Sequence, residues 1–78
     1  SYVPALSERV QVMIDHARLM EARFGPHGLI EFRKHCAAYL RGIPGARPAR
    51  TELMQATELD EMQAILRKHL GGAVEGDF

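Results

Sequence analysis

The sequence has few of the residues that staple small proteins together. Its 78 residues include one cysteine, Cys36, so no disulfide can form within the chain. Domains of roughly 70–80 residues usually supplement a modest core with disulfides, a metal or a partner surface. The lack of disulfides favours a reducing, cytoplasmic setting.

Long apolar runs are also missing. The longest run extends from Cys36 to Leu40, whereas a membrane-spanning helix needs about 20 apolar residues. No basic-then-apolar secretion signal opens the sequence, so we expect neither a membrane partner nor export. Residues 1–6 are predicted to be a linker or a cut point.

Net charge is absent, but the charges are unevenly distributed. Ten basic and ten acidic residues give a formal charge of zero. Residues 18–50 carry seven Arg or Lys against two Glu, a net +5, and residues 51–78 carry two against six, a net −4. Two interpretations have equal weight: the basic middle serves a polyanion, or the opposite charges neutralise each other across neighbouring helices.

Apolar residues recur at three- and four-residue steps and predict helices. The first helix begins after Ser7, a good N-cap, and its apolar stripe runs to Phe24. Residues 25–28, Gly-Pro-His-Gly, are expected to end it, because the position before Pro disfavours helix. The second helix is predicted over residues 29–41, and a Gly/Pro turn over 42–45 closes it.

Two further helices are predicted in the second half. The third spans residues 48–55 with Pro48 in its first turn, where the missing N–H does no harm. Thr57 is expected to cap the last helix, which has an acidic first turn and a basic last turn. The predicted fold is all-α, a small four-helix bundle with short connections over residues 7–70, followed by a flexible tail over 71–78.

Catalytic and metal-binding patterns are lacking. The four histidines form no His-Glu-x-x-His motif, and one cysteine cannot supply a paired zinc spacing. The glycine-rich residues 71–76 follow a helix and precede none, unlike a phosphate-binding loop. Cys36 lies on an apolar stripe, which is typical of a core residue rather than a nucleophile. We therefore expect this chain alone to be non-catalytic, with no metal and no cofactor site.

Basic side chains cluster around the end of the second helix. On a continuous helix Arg33 and Arg41 would lie about 12 Å apart along the axis, with Lys34 close to Arg41 in rotation. This geometry predicts a basic stripe two turns long, suited to a phosphate backbone, which Arg47 and Arg50 extend past the turn.

An alternative needs no ligand. Arg33 would then form an ion pair with Glu31 or with an acid of the last helix, and Lys34 would simply be solvated; on periodicity alone this arrangement is the commoner one.

Phe32 and Tyr39 are predicted to point inward, so no aromatic platform for bases accompanies the stripe. The stripe therefore predicts recognition of phosphates and of the shape of folded RNA.

The same run resembles a known family, the bacterial tRNA-dihydrouridine synthases, in their C-terminal helical domain. The resemblance extends from Pro4 to about Leu70 and is most specific between Phe24 and Arg50. The matching positions are His16, Gly25, Arg33, Lys34, His35, Tyr39, Leu40, Gly42, Pro44, Gly45 and Arg50. The chain departs from the pattern at Ala38, where the family often has a bulky aromatic residue.

The resemblance implies more than the residues show. Such enzymes reduce specific tRNA uridines to dihydrouridine with FMN and NADPH in a catalytic barrel, for which this chain has no room. The helical domain would then bind tRNA, not DNA, and face the barrel as its other partner. The residues expected to bind RNA are Arg33, Lys34, His35, Arg41, Arg47 and Arg50. No catalytic role carries over to Cys36.

Two other functions stay open. The chain is alternatively a helical protein-interaction module that docks on a catalytic barrel or another partner without RNA contact, which an exposed Ile30 favours. It is otherwise a free-standing adaptor with the same fold. Charge reversal at Lys34 and Arg41 should abolish RNA binding and spare apolar docking, and a change at Ile30 should do the opposite.

Overall fold

The computed structural model describes residues 5–71 and contains four helices. They are α1 (Leu6–Phe24), α2 (Pro26–Tyr39), α3 (Arg47–Leu53) and α4 (Leu59–Leu70). No strand occurs in these described residues, so the prediction of a small all-α bundle is confirmed. Most of the predicted linker and tail, residues 1–4 and 72–78, lies outside the described part.

The first helix begins earlier than the capping pattern predicted. Ala5 is its N-cap, in extended conformation and without a side-chain cap hydrogen bond, and the Arg9 amide donates to the Ala5 carbonyl at 3.1 Å. The prediction of Ser7 as N-cap is therefore wrong, because Ser7 lies within the first helical turn. The apolar stripe forms the buried face of α1 from Val10 to Ala17, as its spacing predicted, whereas its last member, Phe24, is 53% exposed.

Only one residue separates α1 from α2. Gly25 has a φ of +71° and is both the C-cap of α1 and the N-cap of α2. The prediction that residues 25–28 end the first helix is confirmed at Gly25. The predicted start of the second helix at residue 29 is wrong, because Pro26 occupies the first position of α2, where a missing N–H costs no hydrogen bond. A Cβ on Gly28 would lie 2.2 Å from the Met20 carbonyl oxygen, so this glycine allows α1 and α2 to approach closely.

The second helix ends at Tyr39 rather than at residue 41. Leu40 is its C-cap, and the chain then reverses through Gly42 and Gly45, which have φ values of +77° and +79°. Left-handed backbone of this kind favours glycine, so the two glycines decide where the turn forms. Arg41 therefore lies in the turn, and the prediction of a basic helical stripe from Arg33 to Arg41 is wrong.

The last two helices pack against each other, and the N-cap of α4 differs from the prediction. Pro48 lies in the first turn of α3, as predicted. The N-cap of α4 is Glu58 rather than Thr57. Thr57 still contributes to the helix start, because its amide and hydroxyl donate to Oε1 of Glu61 at 3.3 and 3.1 Å.

All four helices contribute to one apolar core, which Phe32 of α2 fills with the largest fully buried side chain. Cys36 is buried in this core, as predicted, and burial raises the pKa of its thiol to about 11. The buried apolar residues are Val10, Met13, Ile14, Ala17, Leu29, Phe32, Cys36, Leu40, Ala46, Ala49, Leu53, Ala56, Met62, Leu66 and Leu70. No helix within residues 5–71 is long and apolar enough to cross a membrane.

Candidate nucleic-acid interface

Arg33 is used as a brace between helices. From α2, its Nη1 donates to the backbone carbonyl of Met54, the C-cap of α3. Its Nε is buried and has no partner among the described residues. The ion pair that sequence reasoning offered as the alternative for Arg33 is not formed within residues 5–71, since Glu31 binds Lys34 instead.

Lys34 is exposed but paired. Its Nζ lies 3.0 Å from Oε2 of Glu31, one turn earlier on α2. The hydrogen bond and the charge of Lys34 hold the pKa of the Glu31 carboxyl below its ordinary value. Both side chains are largely solvent-exposed, and exposed pairs of this kind are weak. A phosphate group could therefore replace Glu31 as the partner of Lys34.

Three arginines on the α2–α3 connection and on α3 have no such partner. The side chains of Arg41, Arg47 and Arg50 make no hydrogen bond or ion pair with any residue in the described range. Arg41 and Arg47 are exposed and Arg50 is half-buried. We call residues 41–53, which carry these three arginines, the basic segment. It carries three of the seven Arg and Lys residues that the sequence places between positions 18 and 50.

His35 belongs to an aromatic cluster between α1 and α2. Its ring lies 5.4 Å from the ring of His16 and 6.0 Å from that of Phe32. Nδ1 of His16 is hydrogen-bonded to the hydroxyl of Tyr39 at 2.8 Å. His35 is half-buried within this cluster, and its ring packs near the rings of His16 and Phe32. Its RNA contact stays a prediction.

Arg9 is a residue that sequence reasoning missed. From α1, its Nη2 donates to the backbone carbonyls of Tyr39 at 2.7 Å and of Arg41 at 3.0 Å. Carbonyls at the end of a helix lack intrahelical donors, so this arginine satisfies the Tyr39 carbonyl that α2 leaves open, together with the Arg41 carbonyl in the turn that follows. No local sequence signal could have revealed it, because the partners are backbone atoms 30 and 32 positions away.

Glu52, in the acidic part of the chain, is paired with cations from that same part. Glu52 of α3 accepts hydrogen bonds from Lys68, at 3.3 Å, and from His69, both on α4. The bond from His69 and then that from Lys68 lower the pKa of the Glu52 carboxyl. Neutralisation across helices therefore occurs between α3 and α4, while the three arginines of the basic segment are left without acidic partners among residues 5–71.

Possible metal ligands and surface grooves within residues 5–71 are the features that could hold a metal or a cofactor. Among residues 5–71, no three His, Cys, Asp or Glu side chains come together as metal ligands would. Two surface grooves of about 420 and 520 Å³ are lined in part by acids, Glu52 and Glu61 beside Lys68 in one and Glu21, Glu58 and Asp60 in the other. A third groove, of about 210 Å³, is smaller than ligand pockets usually are.

Comparison with curated proteins shows what this chain is similar to. It is 38% identical over 72 residues to a probable tRNA-dihydrouridine synthase of Mycobacterium leprae and 35% identical over 72 residues to that of Mycobacterium tuberculosis. It is also 29% identical over 70 residues to the probable tRNA-dihydrouridine synthase 1 of Synechocystis. No family model and no solved structure matches the chain.

These alignments cover nearly all of this chain and a small part of its relatives. They include 91% of the chain but 18% of each mycobacterial protein, and 90% of the chain but 20% of the Synechocystis protein. The chain therefore spans about a fifth of the length of the curated relatives it matches. The resemblance noted from its residues is confirmed at this level: the chain is related to one region of the tRNA-dihydrouridine synthases.

Proposed function

We propose that this chain is a tRNA-binding helical domain of a tRNA-dihydrouridine synthase, and that the basic segment contacts tRNA phosphates. The observation that carries the proposal is the set of three arginines, Arg41, Arg47 and Arg50, without side-chain partners among residues 5–71. Guanidinium groups that the fold leaves unpaired are available to phosphate oxygens, which they bind in a bidentate manner. The names of the relatives supply the class of RNA.

The other predicted RNA-binding residues have smaller roles in this proposal. Lys34 adds to the surface by exchanging Glu31 for a phosphate, at little cost because the pair is exposed. Arg33 contributes its positive charge from a braced position, since its Nη1 is bound to Met54. His35 contributes only where its ring edge reaches solvent. We therefore expect the basic segment to dominate the affinity.

The reduction of uridine to dihydrouridine would take place elsewhere in a longer protein. In this proposal FMN and NADPH bind in a catalytic barrel, where the flavin supplies the reducing equivalents. The target uridine must leave its stack to react, which costs free energy. Contacts between the basic segment and distant phosphates would offset that cost and hold the tRNA in place. The proposed setting of this reaction is the cytoplasm.

The salt dependence of tRNA binding tests the proposal. Three phosphate contacts predict an affinity for unmodified tRNA that falls about 20- to 40-fold between 50 and 200 mM salt. Replacing one of the three arginines, for example Arg47→Gln, should reduce this ratio to about tenfold. Arg18→Gln is the matched control, because it removes one positive charge that is already paired with Asp15 on α1. Absence of binding at both salt concentrations would refute the proposal.

A second function is favoured by apolar side chains on the surface. Val12 and Leu19 of α1 are 55% and 70% exposed, and Ile30 of α2 is 44% exposed. Val12 and Leu19 are two turns apart on one side of α1, as expected for an apolar docking face. The chain would then act as an interaction module that docks on a catalytic barrel or another partner.

Matched substitutions separate the two functions. Leu19→Asp or Ile30→Asp should abolish docking while leaving tRNA affinity within about twofold of wild type. Reversing the charges of Lys34 and Arg41 to Glu should abolish tRNA binding while docking persists. Loss of tRNA binding in the Leu19 and Ile30 variants, without loss of helical structure, would favour an apolar contact over the basic segment.

A further inference from the structure

The turn at the start of the basic segment packs on the core through Leu40, Ile43 and Ala46, but few backbone hydrogen bonds hold it. Its backbone hydrogen bonds are short-range ones, from the Ile43 amide to the Leu40 carbonyl and from the Ala46 amide to the Ile43 carbonyl, both 3.2 Å. No heavy atom would lie within 4 Å of a Cβ added at Gly42 or Gly45, so these glycines face open space. The exposed backbone between these core residues, which carries Arg41, therefore gains order from any further hydrogen bond to it.

Arg9 supplies such hydrogen bonds at the first end of the segment. Its guanidinium joins the carbonyl of Tyr39, the last residue of α2, to that of Arg41, the first residue of the segment. The two bonds fix the direction in which the chain leaves α2, and therefore the place from which the Arg41 side chain begins. They also place a positive group at the negative end of the α2 dipole.

Arg33 does the same at the other end. Its Nη1 donates to the carbonyl of Met54, directly after the last residue of α3. Both arginines thus bond to backbone carbonyls rather than to carboxylates, so they hold the segment without cancelling its positive charge. A carboxylate partner would have given similar rigidity and would have lowered the local potential.

We infer that Arg9 and Arg33 are positioning residues that fix the two ends of the basic segment and so preorganise Arg41, Arg47 and Arg50 for one polyanionic surface. The RNA part of this inference rests on the proposed function, whereas the bracing itself does not. Preorganisation lowers the conformational entropy that ordering the segment would cost on binding. Arg9 of α1 thereby takes part in shaping a surface whose other residues come from α2, from α3 and from the turn between them.

Amide hydrogen exchange of the free chain tests the brace. In Arg9→Gln the amides of Ile43 and Ala46 should exchange about five- to tenfold faster, as expected for the loss of one or two hydrogen bonds. The amide of Leu66 in α4 and all amides of Arg18→Gln should be unchanged. In Arg33→Gln the faster exchange should appear instead at Gln55 and Ala56, after Met54. Unchanged exchange in both arginine variants would overturn the inference.

Binding to unmodified tRNA at one salt concentration tests the coupling to the ligand. Arg9→Gln should weaken binding about three- to tenfold in the wild-type background and clearly less in an Arg41→Gln background, because the two residues act through the same contact. Arg9→Lys should restore exchange protection and affinity together, and only in part, because one ammonium cannot reproduce the guanidinium fork. Arg9→Lys also serves where Arg9→Gln does not fold.

The outcomes separate the brace from the proposed function. Equal losses from Arg9→Gln in both backgrounds, or full recovery of affinity by Arg9→Lys without recovered protection, would show a direct phosphate contact and overturn the positioning role. Faster exchange in Arg9→Gln together with no tRNA binding by the wild-type chain would support the brace and refute the proposed function.

Discussion

For Gly28→Ala, helix propensity predicts a gain in stability, whereas the structure predicts a loss. Alanine is favoured over glycine inside a helix by about 1 kcal/mol, so propensity alone predicts a more stable protein. The added Cβ would lie 2.2 Å from the carbonyl oxygen of Met20 and 2.7 Å from its carbonyl carbon. Both are backbone atoms of α1, so no side chain can rotate to relieve the overlap.

The size of the effect follows from the separation that the methyl group requires. Real Cβ atoms essentially never approach other atoms closer than 3.0 Å, so α1 and α2 must move apart by about 0.8 Å. A gap of this size forfeits a quarter to a half of the dispersion energy of the contacts it opens. Overpacking costs typically about 1–3 kcal/mol, and the clash with backbone atoms that cannot rotate away places this site at about 2–3 kcal/mol. The gain in propensity of about 1 kcal/mol offsets part of this cost. We expect a net loss of about 1–2 kcal/mol.

Thermal unfolding followed by circular dichroism measures this loss. In a chain of this size, 1 kcal/mol changes Tm by about 4–8 °C, so Gly28→Ala should lower Tm by about 4–16 °C. Ala22→Gly, at an exposed position of α1, is the matched control and should lose about 1 kcal/mol through propensity alone. A Tm for Gly28→Ala that is equal to or above that of the wild type would refute the close approach of the two helices.

Two further predictions concern hydrogen bonds between helices. Tyr39→Phe removes the hydroxyl bonded to Nδ1 of His16 and should lower the free energy of unfolding by about 1 kcal/mol. Urea titration should show a lower midpoint with an unchanged m-value. An unchanged midpoint would show that this bond is not formed in solution. The pKa of the Glu52 carboxyl is lowered in the fold, chiefly by its hydrogen bond with His69. The stability it contributes is therefore present above the pKa of this carboxyl in the unfolded chain and is lost as pH falls through the folded pKa. Glu52→Gln should flatten the loss of Tm on acidification below about pH 5, and a parallel pH profile would contradict the assignment.

Helix number and core composition could be predicted from the sequence because their signal is local. The apolar spacing of Val10, Met13 and Ile14 places them on one face of a helix, and these residues are buried in the structure. The helix ends were less predictable. Gly25 and Pro26 were both expected to interrupt the helix, yet one residue with a φ of +71° suffices for the break. A capping pattern states which residues favour an end, and packing selects among the candidates.

In the candidate site, too, some properties could be predicted from the sequence and others could not. The residue types were predictable, since an excess of arginine and lysine in the middle of the chain is visible in the sequence. Which cations are already occupied was not predictable. Arg33 is bound to the carbonyl of Met54, and Lys34 is bound to Glu31, the reverse of the pairing that the sequence suggested. The aromatic cluster around His16 likewise joins residues from two helices.

The sequence by itself determined that the protein is all-α, that Cys36 is a core residue and which family its middle region resembles. These properties depend on residue type and on spacing along one helix. Only the tertiary structure decided that Arg41, Arg47 and Arg50 have no side-chain partner among residues 5–71, and that Arg9 bonds to the carbonyls of Tyr39 and Arg41. The physical reason is that a charge is available only when no other element supplies its partner, and the partners here are backbone carbonyls and carboxylates that folding brings from other turns and helices.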